Sequence, residues 1–295
     1  MATDFTNAAR GVLTIEADGS RGLASRLCAE LGDPGRDPQA FVARAFELTP
    51  PGWLRRVPGR ETFAHGESVV LKRFQGDAWS EWWHEFSRGA TLRSPARREG
   101  ENLAALRALG LCVPKPIAWA EEPASRALPL TRAARAGRSA LAMELLAHKE
   151  HLRQRLSRCD SAQARAWIEP LARLVALLHC ANWFHRDLYL QHFAVLDTQP
   201  ARLALLDCGR ARCETPVPRR WIVKDLAQLL HSAPENIGPR TRLRWFSCYA
   251  RERGLSGASD LRALLRAVLA KERRMRAHKP RHLDPRTANP DGSER

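Results

Sequence analysis

His185-Arg186-Asp187-Leu188-Tyr189-Leu190-Gln191-His192-Phe193 is the stretch on which the reading of this chain turns. Three ionisable side chains stand in a row, and a second histidine follows within two helical turns' worth of chain. Upstream, Ile168, Leu171, Ala172, Val175 and Leu178 recur at helical spacing and mark one buried face, with Pro170 starting or kinking that helix. Downstream, 193–196 and 203–206 predict two short strands joined across Asp197-Thr198-Gln199-Pro200. The second strand runs into Asp207-Cys208-Gly209. The polar stretch is thus a loop held between a buried helix and a hairpin, the setting in which chemistry-bearing side chains are most often displayed.

Working outward, Thr62-Phe63-Ala64 and 68–74 predict two strands joined by His65-Gly66-Glu67, the second containing Val69-Val70-Leu71-Lys72. Residues 97–109 predict a helix with Leu103, Leu106 and Leu109 in register, opened by Arg98-Glu99. The Pro-broken run 112–119 reads as an extended entry to a strand, and 140–145 as a short apolar strand. Trp79, Trp82, Trp83 and Phe86 lie at helical spacing in 78–94, and a helix capping the sheet is preferred there to a lipid or sugar contact. Helices are predicted over 224–231, 241–253 and 260–275. The whole is α+β and two-lobed: a β-rich N-lobe over 49–143 and a mainly helical C-lobe over 144–275. Residues 1–48 read as a polar N-terminal extension with short helices, and 276–295 as a basic, disordered tail.

Composition narrows the partners. The 295 residues carry a formal charge of +16, and 42 of the 48 basic residues are Arg. Residues 1–50 hold five basic and seven acidic side chains, so the positive field belongs to the main body and tail. Such a surface favours anionic partners. No recognisable nucleic-acid motif lies behind the charge, so specific nucleic-acid binding is not expected. No apolar run approaches the ~20 residues of a bilayer span, and Met1-Ala-Thr-Asp-Phe5 does not open a secretory signal. The seven cysteines are scattered with no Cys-x-x-Cys pair, which argues for reduced thiols rather than disulfides or structural zinc. A cytoplasmic protein is expected.

Four fragments then stand in a fixed order: a strand ending in Lys72, a helix opening with Glu99, the Asp187 loop, and Asp207 after the hairpin. Taken singly, each has a bland reading. Lys72 is a solvated strand-end lysine, Glu99 complements a helix dipole with Glu101 competing for its place, Asp207 is a turn residue, and His185 and Arg186 brace a loop. Taken in order, they are the parts that phosphoryl transfer from ATP requires. A lysine holds the α/β phosphates and a helix carboxylate orients it. A second carboxylate accepts the acceptor's hydroxyl proton, and a third holds the Mg²⁺ that bridges the phosphates. The set is similar to the protein-kinase signatures V-A-I-K, H-R-D-L and D-F-G.

The loop 185–193 resembles, more specifically, the H-R-D-x-Y-x-x-H-F segment of the bacterial lipopolysaccharide kinase family, which includes heptose and Kdo (3-deoxy-D-manno-octulosonic acid) kinases. The run 217–226, Val-Pro-Arg-Arg-Trp-Ile-Val-Lys-Asp-Leu, is also similar to that family. The resemblance extends over about residues 55–260 and implies a protein-kinase-like fold. It implies an ATP-dependent kinase acting on a sugar hydroxyl of the lipopolysaccharide core, peripheral on the inner face of the inner membrane. Lys72 would hold phosphates, Glu99 would orient it, and Asp187 would be the base. Asp207 and His192 would hold Mg²⁺, with Mn²⁺ as the alternative ion, and Met143-Glu144 would lie beside adenine. His185, Arg186 and Asp225 would support the loop. The implied partners are an anionic glycan acceptor, the lipopolysaccharide core first among them, and an anionic membrane surface. The chain departs from protein kinases in three respects. No G-x-G-x-x-G precedes Lys72, no A-P-E follows Asp207, and His192 stands where a metal-binding Asn would be. Two rival readings stay open at this point: a kinase-fold phosphotransferase for a protein or small molecule, and a catalytically weak nucleotide-binding scaffold.

Overall fold

Alternation along Val69–Phe74, here strand β4, sets the layers of the first lobe. Val70 and Phe74 pack with Leu103, Leu106, Leu141 and Met143, whereas Val69 and Leu71 pack with Leu27, Leu31, Phe41, Ala140 and Ala142. Successive side chains of a strand point to opposite faces, so a strand buried on both faces needs a layer on each side. The computed structural model describes residues 11–13, 21–76, 93–122, 137–148, 150–198 and 200–277. In chain order the N-lobe elements are β1 (Gly11–Leu13), α1 (Arg21–Leu31), α2 (Pro38–Glu47), β2 (Arg55–Val57), β3 (Arg60–His65), β4, α3 (Pro95–Ala108), β5 (Pro116–Glu121) and β6 (Ser139–Glu144). They build a six-stranded antiparallel sheet ordered β1-β5-β6-β4-β3-β2.

Helix α3 packs beneath this sheet and α1 with α2 above it. The α3 start at Pro95, two residues earlier than the apolar spacing suggests, follows from its cap: Ser94 Oγ accepts from Arg97 N at 3.1 Å, and Pro95 takes the first helical position. Helix α2 is opened the same way by Asp37, whose carboxylate accepts from Ala40 N. In its described part, the stretch expected as a polar extension supplies the outer layer of the N-lobe. Ala24, Leu27, Leu31, Phe41, Val42 and Ala45 are all buried against the sheet, and Gly11–Leu13 adds its edge strand. Each of those short apolar stripes covers too few residues to announce a core by itself; paired on one sheet face they make one.

The C-lobe comprises β7 (Glu150–His151), α4 (Leu152–Ser157), α5 (Ser161–Arg165), α6 (Ile168–Cys180), β8 (Trp183–Phe184), β9 (Phe193–Thr198), β10 (Ala201–Leu205), β11 (Arg212–Cys213), α7 (Arg219–Ser232), α8 (Pro239–Glu252) and α9 (Ala258–Ala277). Pro170 sits in the first turn of α6, where its missing N–H costs nothing, and so starts the helix. The hairpin β9–β10 carries β7 as a third strand, and β8 pairs with β11. Helix α7 begins five residues before the apolar spacing does; Pro218 stands at its N-cap with no side-chain cap hydrogen bond, its carbonyl accepting from Trp221 N at 2.9 Å. The Trp79–Phe86 segment lies outside the described residues. So does the expected tail from residue 278 onward, while residues 276 and 277 complete α9. Among the described residues no helix is long and apolar enough to cross a membrane.

Candidate active site

The strand register decides which side chains reach the cleft. Thr62 pairs with Lys72, Arg60 with Phe74 and Arg55 with Thr62, so Arg55, Arg60, Thr62 and Lys72 share one face. Lys72 is buried, and its Nζ donates to Glu99 Oε1 at 2.5 Å while lying 3.7 Å from Asp207 Oδ1. Burial by itself pulls the Lys72 ammonium down. Attraction from Glu99 and Asp207 overrides this and leaves it above the ordinary lysine value, hence charged. Glu101, two residues on and nearly half a helical turn away, instead pairs with Arg93 and Arg97. The geometry therefore chooses Glu99.

Helix α3 also holds the Asp207 loop through its backbone. Asn102 Nδ2 donates to Cys208 O and Ala211 O, both at 2.9 Å, and Arg98 Nε donates to Gly209 O at 3.2 Å. Asp207 has left-handed backbone (φ 55°), a conformation costly outside glycine and tolerated best by Asp and Asn. Its carboxylate meets Arg60 through both terminal nitrogens at 3.3 Å, and Arg55 at 3.5 Å. Burial alone would raise the Asp207 carboxyl. Lys72, Arg60 and His192 outweigh it and hold the group well below the usual carboxylate range.

The 185–193 loop is templated by one face of α7. Asp225 is fully buried and accepts from His185 N at 2.7 Å and Arg186 N at 2.8 Å. Gln228, one turn on, accepts from Leu188 N and donates to Arg186 O; Ser232, another turn on, accepts from Leu190 N. Behind Asp225, His179 bridges toward the buried Tyr249 hydroxyl at 2.7 Å. Arg186, at φ 71°, lays its guanidinium 5.3 Å from the Trp221 ring centroid. The loop then presents Asp187, whose Oδ2 accepts from Arg210 at 2.9 Å.

His192 faces the same cleft floor. Its Nδ1 is buried without a hydrogen-bond partner, 4.0 Å from Asp207 Oδ2. Desolvation pushes the ring down to about 4 against the attraction of Asp207, so the imidazole is neutral. A neutral imidazole with a spare lone pair beside an ionised carboxylate is a donor set that fits a divalent cation. Among the described residues no group of three or more such ligands exists, so any ion there takes its remaining positions from substrate and water. At the other end of the cleft, Met143 pairs with Val70, on the Lys72 face, while the next residue, Glu144, points to the opposite face by alternation. Glu144 exchanges hydrogen bonds with Lys115, its N–H donating to the carbonyl and its Oε2 accepting from the amide.

Asn102, Gln228, Ser232, Arg55, Arg60 and Arg210 were not singled out by sequence reading. The spacing 225/228/232, which puts three polar side chains along one face of α7, was a usable signal. So was Asn102, one turn from Glu99 on the buried side of α3.

The model of the lipopolysaccharide kinase (Kdo/WaaP) family matches residues 53–249. The chain belongs to that family. The lipopolysaccharide core heptose(I) kinase WaaP of Pseudomonas aeruginosa is 27% identical over 262 residues, covering 85% of this chain and 94% of that protein. The enzyme of the same name from Escherichia coli is 35% identical over 91 residues, 29% of this chain and 34% of that protein. A solved structure of WaaP in complex with acyl carrier protein is 24% identical, covers 90% of this chain and 99% of that one, and superposes with a TM-score of 0.59. Membership makes the chain a kinase that transfers a phosphoryl group to a sugar hydroxyl of the lipopolysaccharide core, on a kinase-like fold.

Proposed function

We propose that this lipopolysaccharide kinase family member phosphorylates a heptose of the core from ATP, with Kdo as the alternative acceptor sugar. The observation that carries the reading is the convergence of Lys72, Glu99, Asp207 and His192 within one cleft, with Asp187 on a loop held by α7. Lys72, kept charged and fixed by Glu99, positions the α/β phosphates. Asp187 accepts the sugar hydroxyl's proton as the hydroxyl oxygen attacks the γ-phosphorus, the bond to the β,γ-bridging oxygen breaks and ADP leaves. Arg210, which pairs with Asp187 at 2.9 Å, would put a guanidinium beside the base for an anionic substituent of the acceptor. Asp207 and His192 would hold the divalent metal, which supplies neutralisation of phosphate charge. Because imidazole suits later transition metals better than Mg²⁺, Mn²⁺ should support turnover at least as well. Met143 lines the adenine end from the Lys72 face, and Glu144 fixes the strand end behind it. His185, Arg186 and Asp225 keep the loop in shape.

The Arg-rich body suits a substrate already bearing phosphates and carboxylates, and an anionic membrane surface at the inner face. The acyl carrier protein seen with the solved WaaP suggests a second partner, and one observation on this chain favours it. A cavity of about 460 Å³ in the C-lobe is lined by Leu156, Trp167, Ile168, Leu229, Phe246 and Val268, an apolar wall suited to a fatty chain. An acyl-loaded carrier, but not an unloaded one, should then raise the melting temperature.

The deciding experiment transfers labelled phosphate from ATP to heptose-ended core, Kdo-ended core, free sugars and a generic protein side by side. Heptose-ended core should label best. Asp187→Asn should lose about 10²–10⁴-fold in kcat with nucleotide affinity retained. Equal labelling of the protein would defeat the acceptor assignment, and an active Asp187→Asn variant would defeat the mechanism.

A further inference from the structure

We propose that Arg60, assisted by Arg55, is a ligand for the nucleotide's phosphate oxygens, parked on Asp207 until nucleotide arrives. The proposal rests on the nucleotide reading above and adds residues that the kinase signatures do not contain.

Its starting point is the hairpin that lies where a glycine-rich lid would be. Val57 pairs with Arg60, so the turn is only Pro58-Gly59, with Gly59 at φ 78°. A glycine-rich lid offers phosphates several backbone N–H groups. This two-residue turn offers one at most, the Gly59 N–H, because Pro58 has none. The donors that a phosphate needs must come from side chains, and the register puts two guanidinium groups on the cleft face of that hairpin.

Both already grip an anion. Arg60 meets the two oxygens of Asp207 with its two terminal nitrogens at 3.3 Å each, the fork geometry that fits phosphate as well as carboxylate. Its Nε is buried without an acceptor, leaving a donor unused in the resting arrangement. Arg55, half-exposed, reaches the same carboxylate at 3.5 Å from the outside. Among the described residues, three cations (Lys72, Arg60, Arg55) then stand against two carboxylates, Glu99 and Asp207. When Asp207 is needed for the metal, the two arginines lose their partner inside a partly buried cleft, where an unpaired charge is expensive. The phosphates that arrive with the metal are the anion within reach. The hydrogen bonds are exchanged rather than lost, and no covalent bond changes.

The same arrangement could instead be a resting brake, in which Arg60 merely competes for Asp207. The two differ in sign. Calorimetric titration of the full chain with ATP, ADP and adenosine, in Mg²⁺, separates them. Arg60→Gln should weaken ATP and ADP about ten-fold or more while adenosine binding is unchanged, since charged hydrogen bonds are lost only with the phosphates. Arg60→Lys should recover part of the loss, having the charge without the fork. Arg55→Gln, at a half-exposed position with little folding risk, should show a smaller loss of the same pattern. Unchanged adenosine binding also shows that each variant is folded. ATP affinity within two-fold of wild type, or tighter, in both Arg60 variants would overturn the proposal while leaving the nucleotide reading intact. Wild-type protein that binds ATP no better than adenosine would instead overturn the nucleotide reading, and this proposal with it.

Discussion

Lys72 and Glu99 form a pair whose members have little purpose apart: each is buried, and each loses its compensating charge if the other goes. Lys72→Ala and Glu99→Ala should both cut kcat/KM for ATP, and the double variant should lose far less than the product of the two factors. Glu101→Ala should show no such coupling to Lys72. His192 gives a second residue-scale expectation, in metal-free protein. Its ring titrates near 4 when folded, against about 6.5 for an unperturbed histidine. The stability it contributes is complete above pH 6.5 and is lost as pH falls from 6.5 toward 4, where only the unfolded chain takes up the proton. Chemical denaturation at pH 7.5 and 5 should show wild type losing on the order of 1–2 kcal/mol more than His192→Asn. These residues were legible in the sequence because their types and order are tied to one chemistry. Arg55 and Arg60 were not. In a chain with 42 arginines no single one stands out, and only the folding of the hairpin over the cleft brings these two to Asp207.

At the scale of elements, α3 and α7 act as templates: each is anchored by packing on one side and reads loop backbone with polar side chains on the other. Helix α3 can lie so close to the sheet because Gly100 faces Trp119. A Cβ at Gly100 would stand 2.6 Å from Trp119 Cδ1, near the root of a buried ring that cannot swing away. Gly100→Ala should therefore destabilise by about 1–3 kcal/mol despite the better helix propensity of alanine, measurable as a lowered Tm. Since Glu99 and Asn102 ride on the same helix, kcat should fall as well. Helix existence was readable from apolar spacing for α3, α6, α7, α8 and α9. The early start of α3 came from Ser94-Pro95, a capping signal that carries no periodicity, whereas α7 starts after Pro218, which supplies no side-chain cap. The two-residue strands β7, β8 and β11 are too short for any pattern, and they form only because the hairpin and loop bring partners to them.

For the molecule as a whole, the charge asymmetry predicts reversible, electrostatic attachment to anionic vesicles. Binding at low ionic strength should fall away as the Debye length drops below ~8 Å, and retention in high salt would point to apolar insertion instead. The two-lobed α+β plan was legible because strand-type and helix-type patterning segregate along the chain; the depth of the N-lobe was not, because its outer layer is built from residues that read as an appendage. That layer has a practical consequence for anyone trimming the gene. A chain begun at residue 49 would keep every residue of the cleft discussed above, yet would leave Phe63, Leu71 and Ile117 facing solvent, together with an unpaired edge on β5. A bare apolar sheet face beside an open edge invites strand addition between molecules. The shortened polypeptide should accumulate as inclusion bodies rather than as a trimmed enzyme, and a soluble, nucleotide-binding product from it would show that the sheet can do without its roof.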